Sequence, residues 1–97
     1  MSGEGMIAEP RADHGDAGMI RLKELMARGT AFFGTEWAIL GGAMSWVSER
    51  NLVAAISNAG GFGVIACGAM TPELLDGEIA GTKERTSKPF GVNLITM

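Results

Sequence analysis

The chain has no tyrosine, one cysteine, one histidine and three prolines in 97 residues. The lone cysteine, Cys67, rules out an internal disulfide and leaves no thiol pair for a metal, which suits a reducing cytoplasm. Basic side chains are also scarce: 8 Lys plus Arg stand against 11 Asp plus Glu, for a net charge of −3 and no basic run. A nucleic acid or an anionic membrane therefore has no electrostatic footprint here. No apolar stretch approaches the roughly 20 residues that span a bilayer. The first 18 residues, MSGEGMIAEPRADHGDAG, contain no apolar core of the signal-peptide kind. The expected location is cytoplasmic.

What is present is a 46% hydrophobic composition in a length that makes at most one ordinary domain. Residues 1–18 lack periodicity and read as a flexible N-terminal tail, with His14 solvent-exposed and inert within it and Met19 an alternative translation start. From Met19 a pattern begins. MIRLKELMARG places Ile20, Leu22, Leu25 and Met26 near one helical face, with Gly29 as the stop. WAIL, residues 37–40, is a short wholly apolar strand. SERNLVAAISN follows as a helix capped by Ser48, with Leu52, Val53 and Ile56 as its buried stripe.

FGVIA is a second strand, and Thr71-Pro72-Glu73 opens another helix with a capping hydroxyl, a proline in the first turn and an acid beside the positive dipole end. Leu75, Ile79 and Thr82 line its inner face, and Lys88-Pro89 breaks it before the strand FGVNLI. Strands starting near 37, 62 and 90 set a repeat of about 25 to 28 residues. Apolar strands alternating with helices imply an α/β parallel sheet with helices outside, either a barrel or an open doubly wound sheet.

Gly61, Gly63 and Ala66 match the dinucleotide fingerprint G-x-G-x-x-A. That fingerprint works only between a strand and the following helix, whose N-terminal N–H groups face the phosphates. These glycines lie between a helix and the following strand, so they make a helix stop and a tight turn rather than an NAD site. Gly41 and Gly42 are placed correctly, at the carboxyl end of a strand where parallel β/α folds bind ligands. Beside them Ala43 offers close backbone approach, and Met44 a polarisable thioether. Trp46 suits a pocket wall or the core equally, and Cys67 reads as a small packed thiol at the same face.

Taken together, ILGGAMSWVSERNLVAAISNAGGFGVIACGAMTPELL and KPFGVNLITM resemble the nitronate monooxygenase family, which shares its architecture with flavin-dependent enoyl-acyl-carrier-protein reductases. With the helix between them, these pieces span residues 32–97. The resemblance implies a TIM (β/α)8 barrel binding FMN at the carboxyl ends of its strands, and oxidation of alkyl nitronates by molecular oxygen. It places Ala43, Met44 and Ser45 in the first strand–helix loop against the flavin, and Asn93 where an amide hydrogen-bonds it. The family's glutamine at position 41 is replaced by glycine, which removes a side chain able to touch the ligand. Ala43 replaces a glycine and adds a methyl close to the ring.

An eight-stranded barrel takes roughly 250 residues. Residues 19–97 thus correspond to the N-terminal part of a barrel, truncated after its third strand, with the catalytic histidine and phosphate-gripping loops on later strands. Such a partial TIM barrel is expected to be inactive alone and to self-associate through its open apolar edges. Reduction of an enoyl thioester, or a non-catalytic remnant or interaction module, are the competing readings.

Overall fold

The computed structural model describes residues 9–96, with side chains from Asp16 onward. The expectations for residues 1–8 and for the His14 side chain lie outside the described residues. Among the described residues the order is α1 (Glu9–Phe33), β1 (Leu40–Gly41), α2 (Arg50–Asn58), β2 (Phe62–Ala66), α3 (Pro72–Arg85) and β3 (Phe90–Asn93). The strands form one parallel sheet in the order β1-β2-β3, pairing Leu40 with Phe62 and Ala66 with Asn93.

Helix α1 begins ten residues before Met19 and passes through Gly29, the expected stop. Pro10 is tolerated because the first turn has no intrahelical use for its missing N–H. Gly29 is a contact point: a Cβ there would stand 2.7 Å from the Ala38 Cβ. The helix ends at Gly34, whose φ of 72° turns the chain while the Thr30 carbonyl accepts from the N–H groups of Gly34 and Thr35. The first regular strand is shorter than WAIL and lies at its end. Trp37 and Ile39 still join the approach to β2, through Trp37 N–H to the Gly60 carbonyl and Phe62 N–H to the Ile39 carbonyl.

Helix α2 starts one residue later than its expected cap. The Glu49 carboxylate accepts from the backbone N–H groups of Asn51 and Leu52, both at 3.1 Å, and so takes the role assigned to Ser48. The helix buries Val53, Ala54 and Ser57 against β2. It comes so close that a Cβ on Gly63 would meet the Val53 carbonyl oxygen at 2.5 Å, and the Ser57 hydroxyl accepts from the Gly63 N–H at 3.1 Å. Ile65, fully buried, completes this layer. On the sheet's other face a Cβ on Gly91 would strike the Phe62 ring.

Helix α3 has the expected Thr71 cap and Pro72 start, and it ends at Arg85, ahead of Lys88-Pro89. It lies alongside α2, tied at both ends. Arg50 grips Glu78 with a two-pronged pair, Nε to Oε1 at 3.2 Å and Nη2 to Oε2 at 2.9 Å, while its backbone N–H also donates to Oε1. At the far end the Asn58 amide donates to the Arg85 carbonyl, and the Thr86 hydroxyl donates to Asn58.

Two outcomes follow from this packing. Gly63→Ala forces α2 off the sheet and should lower stability in chemical denaturation by about 1–3 kcal/mol; an unchanged midpoint would show the helix to be free to shift. The Arg50 hydrogen bonds and charge hold the Glu78 carboxyl below the ordinary 4.5. The pair therefore contributes fully above that pH, and its contribution is lost as pH falls through the depressed value. Glu78→Gln should cost on the order of 1 kcal/mol at neutral pH and flatten the acid side of a stability–pH profile.

Candidate functional site

The carboxyl ends of the three strands lead into residues 42–49, 67–71 and 94–96, on one end of the sheet. The segment after β1 is a closed turn around Ser48. The Ser48 hydroxyl accepts from the Met44 N–H at 2.9 Å and donates to the Gly42 carbonyl at 3.1 Å. The Met44 carbonyl accepts from both Val47 and Ser48 N–H groups, and the Ser48 carbonyl accepts from the Ala66 N–H at the end of β2. Ser48 is 2% exposed, whereas Met44, Trp46 and Val47 on the same turn are largely open.

Trp46 has φ 65°, alone among the described non-glycine residues in the left-handed region, and is 65% exposed. It is no core residue. Burial does not explain the strain; the turn imposes it.

The residues expected at a cofactor are brought to this end. Ala43, Met44 and Ser45 sit together on the exposed turn, and Asn93 is the last residue of β3, half-buried. Two inter-strand spacings, about 10 Å, separate β1 from β3 across β2. The Asn93 carbonyl accepts from the Cys67 Sγ–H at 2.7 Å. The Asn93 side-chain amide has no protein partner among the described residues, so its donor and acceptor are available to a ligand.

Gly41 has a different purpose from the one expected. A Cβ there would point into Ile56 of α2, so this glycine serves helix packing and removes nothing from the ligand face. A Cβ on Gly42 meets nothing within 4 Å, which leaves room for close approach to the backbone.

The G-x-G-x-x-A stretch lies at the opposite end, entering β2 from α2. A small cavity of about 90 Å³ opens there beside Thr35, Glu36, Ser57, Asn58 and Lys88. Thr35, Ser57 and Asn58 already spend their polar atoms on the protein, and the volume is far too small for a flavin. Among the described residues no group of three or more His, Cys, Asp or Glu side chains could hold a metal, and no helix is long and apolar enough to cross a membrane.

Sequence reasoning missed the hydroxyl hub at Ser48 and the left-handed Trp46. Ser48 and Glu49 are adjacent cap candidates, and the signal was the pair: Glu49 can cap, which frees Ser48 for the turn.

A parallel sheet in sequential order, with exposed loops at the strand carboxyl ends, defines a segment of an α/β protein in the architecture that carries its ligand sites at that end. Residues 26–97 match the family model of nitronate monooxygenases, and the chain belongs to that family. It is 42% identical over 65 residues to a 5-hydroxy-7a-methyl-1-oxo-octahydro-1H-indene-4-carboxyl-CoA dehydrogenase of Rhodococcus jostii, covering 67% of this chain and 18% of that one. It is 35% identical over 71 residues to a probable nitronate monooxygenase of Staphylococcus saprophyticus, covering 73% and 20%. A mutant of FabK from Thermotoga maritima superposes with a TM-score of 0.71 at 44% identity, over 72% of this chain and 24% of that one. The chain thus spans about a fifth of the length of these curated relatives. The fold is a partial TIM barrel: its first three parallel strands with helices outside.

The strain at position 46 makes a specific outcome. A left-handed non-glycine residue costs about 1–2 kcal/mol, so Trp46→Gly should hold or raise the denaturation midpoint despite removing a large aromatic side chain. A marked loss would instead show the indole packed in solution.

Proposed function

We propose that these residues form the N-terminal part of a flavin-dependent oxidoreductase that binds FMN at the carboxyl ends of β1–β3 and oxidises alkyl nitronates with molecular oxygen. The observation that carries this reading is the pairing at one sheet end of an exposed, latched turn with the Asn93 amide, which has no partner among the described residues. The residues suit the group: Gly42 faces open space, Met44 presents a thioether, and an amide matches the N–H and C=O edge of an isoalloxazine. When bound, FMN would supply the electron transfer between nitronate and oxygen.

The chain's own part is to bind and orient. The backbone of Ala43 to Ser45 would hold FMN from one side of the sheet end, and the Asn93 amide would hydrogen-bond it. Leu40, exposed on the sheet face away from α2, fits the inside of a barrel that further strands close. Open apolar side chains such as Ile39, Leu94 and Ile95, left uncovered, favour self-association.

A second reading, reduction of an enoyl thioester with NAD(P)H, draws support from the likeness to FabK of Thermotoga maritima. The protein isolated from its native cells separates the two. An intact mass of barrel size, a bound yellow chromophore and oxygen uptake on adding ethylnitronate are expected. NAD(P)H consumption with crotonyl-CoA and no nitronate response would favour the second reading. A mass near 10.1 kDa with neither activity would overturn both. Asn93→Ala should weaken FMN binding about tenfold, the worth of one good hydrogen bond, as read by flavin fluorescence.

A further inference from the structure

We infer that Ser48 is a positioning residue for the cofactor, holding the 43–46 turn in the one shape that presents Ala43, Met44 and Ser45. This rests on the FMN reading above.

Ser48 itself faces no ligand. It is buried, and its two polar oxygens make three bonds that all serve the turn. The hydroxyl closes the turn from inside, accepting from Met44 and donating to the Gly42 carbonyl. The Ser48 carbonyl accepts from Ala66, fastening the turn to the end of the central strand.

Apart from the two backbone bonds to the Met44 carbonyl, the turn so held has little packing to support it. Its residues 43–47 are exposed, and Trp46 is kept in a backbone region that a tryptophan disfavours. Without the hydroxyl, the Met44 N–H and the Gly42 carbonyl lose their partner, and the turn keeps only the bonds of the Val47 and Ser48 N–H groups to the Met44 carbonyl. The segment then relaxes to other shapes, and binding must select the competent one from a mixture. Position 48 therefore needs a small side chain that donates and accepts at once, as a hydroxyl does.

The test replaces Ser48 at the chromosomal locus, so that the protein is studied at whatever length the cell makes. Hydrogen exchange by mass spectrometry is read on the peptide 42–49, with the peptide 57–63, which contains the separate Ser57–Gly63 bond, as the control. FMN affinity is read by fluorescence quenching of added FMN.

Ser48→Ala is expected to speed exchange in 42–49 about tenfold, to leave 57–63 unchanged, and to weaken FMN binding by a similar factor. Where Ser48→Ala does not accumulate, the isosteric pair Ser48→Thr and Ser48→Val carries the same comparison. Threonine should keep both properties and valine lose them. Unchanged exchange in 42–49, or faster exchange with unaltered FMN affinity, overturns the inference. Exchange rising equally in both peptides overturns it too, since the hydroxyl would then serve general stability. If the unaltered protein binds no FMN, the functional reading fails first, and the positioning role toward that cofactor falls with it.

Discussion

The structure depends on how closely α2 lies on β2. Helix and strand approach until the Val53 backbone sits where a side chain of Gly63 would be, and Ser57 shares its hydroxyl with that same strand position. Close packing of this kind leaves no slack to absorb an added methyl. It also explains glycine use that no turn requires: Gly63 admits the helix, and Gly41 makes room for Ile56 of that helix in the neighbouring strand. With α2 seated, β2 is held as the central strand, and β1 and β3 take their register from it. Helix α3 is then secured to α2 rather than directly to the sheet, by the Arg50–Glu78 fork at one end and the Asn58–Thr86 bonds at the other.

The two ends of the sheet serve different purposes. At the amino end, polar side chains are consumed in tying helices and turns together, and the glycines there are structural. At the carboxyl end, the chain leaves apolar side chains open, an asparagine amide without a partner among the described residues and a tryptophan in a disfavoured backbone state. Unspent polar atoms and stored strain are expensive to maintain unless a ligand uses them. The contrast between the two ends is physical, and it supports the proposed ligand face at the carboxyl end.

Ser48 and Glu49 show how one local choice changes the meaning of its neighbour. Either residue can accept the first free N–H groups of a helix. The carboxylate takes two of them, which leaves the hydroxyl to fold back on Met44 and Gly42. The helix start and the shape of the 43–47 turn are thus settled by the same competition.

Much of the architecture was legible in the residues alone. FGVIA, the Thr71-Pro72-Glu73 start and the alternation of helix and strand are local patterns, governed by side-chain periodicity and backbone propensity within a few residues. The placement of Ala43, Met44, Ser45 and Asn93 at one sheet end followed from that alternation, because parallel strands with crossover helices bring all their carboxyl ends together. The end of α1, the reason for Gly41 and the work of Ser48 were decided by tertiary structure. Each depends on an atom distant in sequence or across a turn: Ala38 against Gly29, Ile56 against Gly41, Ala66 on Ser48. A glycine reads the same in sequence whether it turns the chain, admits a helix or faces a ligand. Only the space around its missing side chain tells these apart.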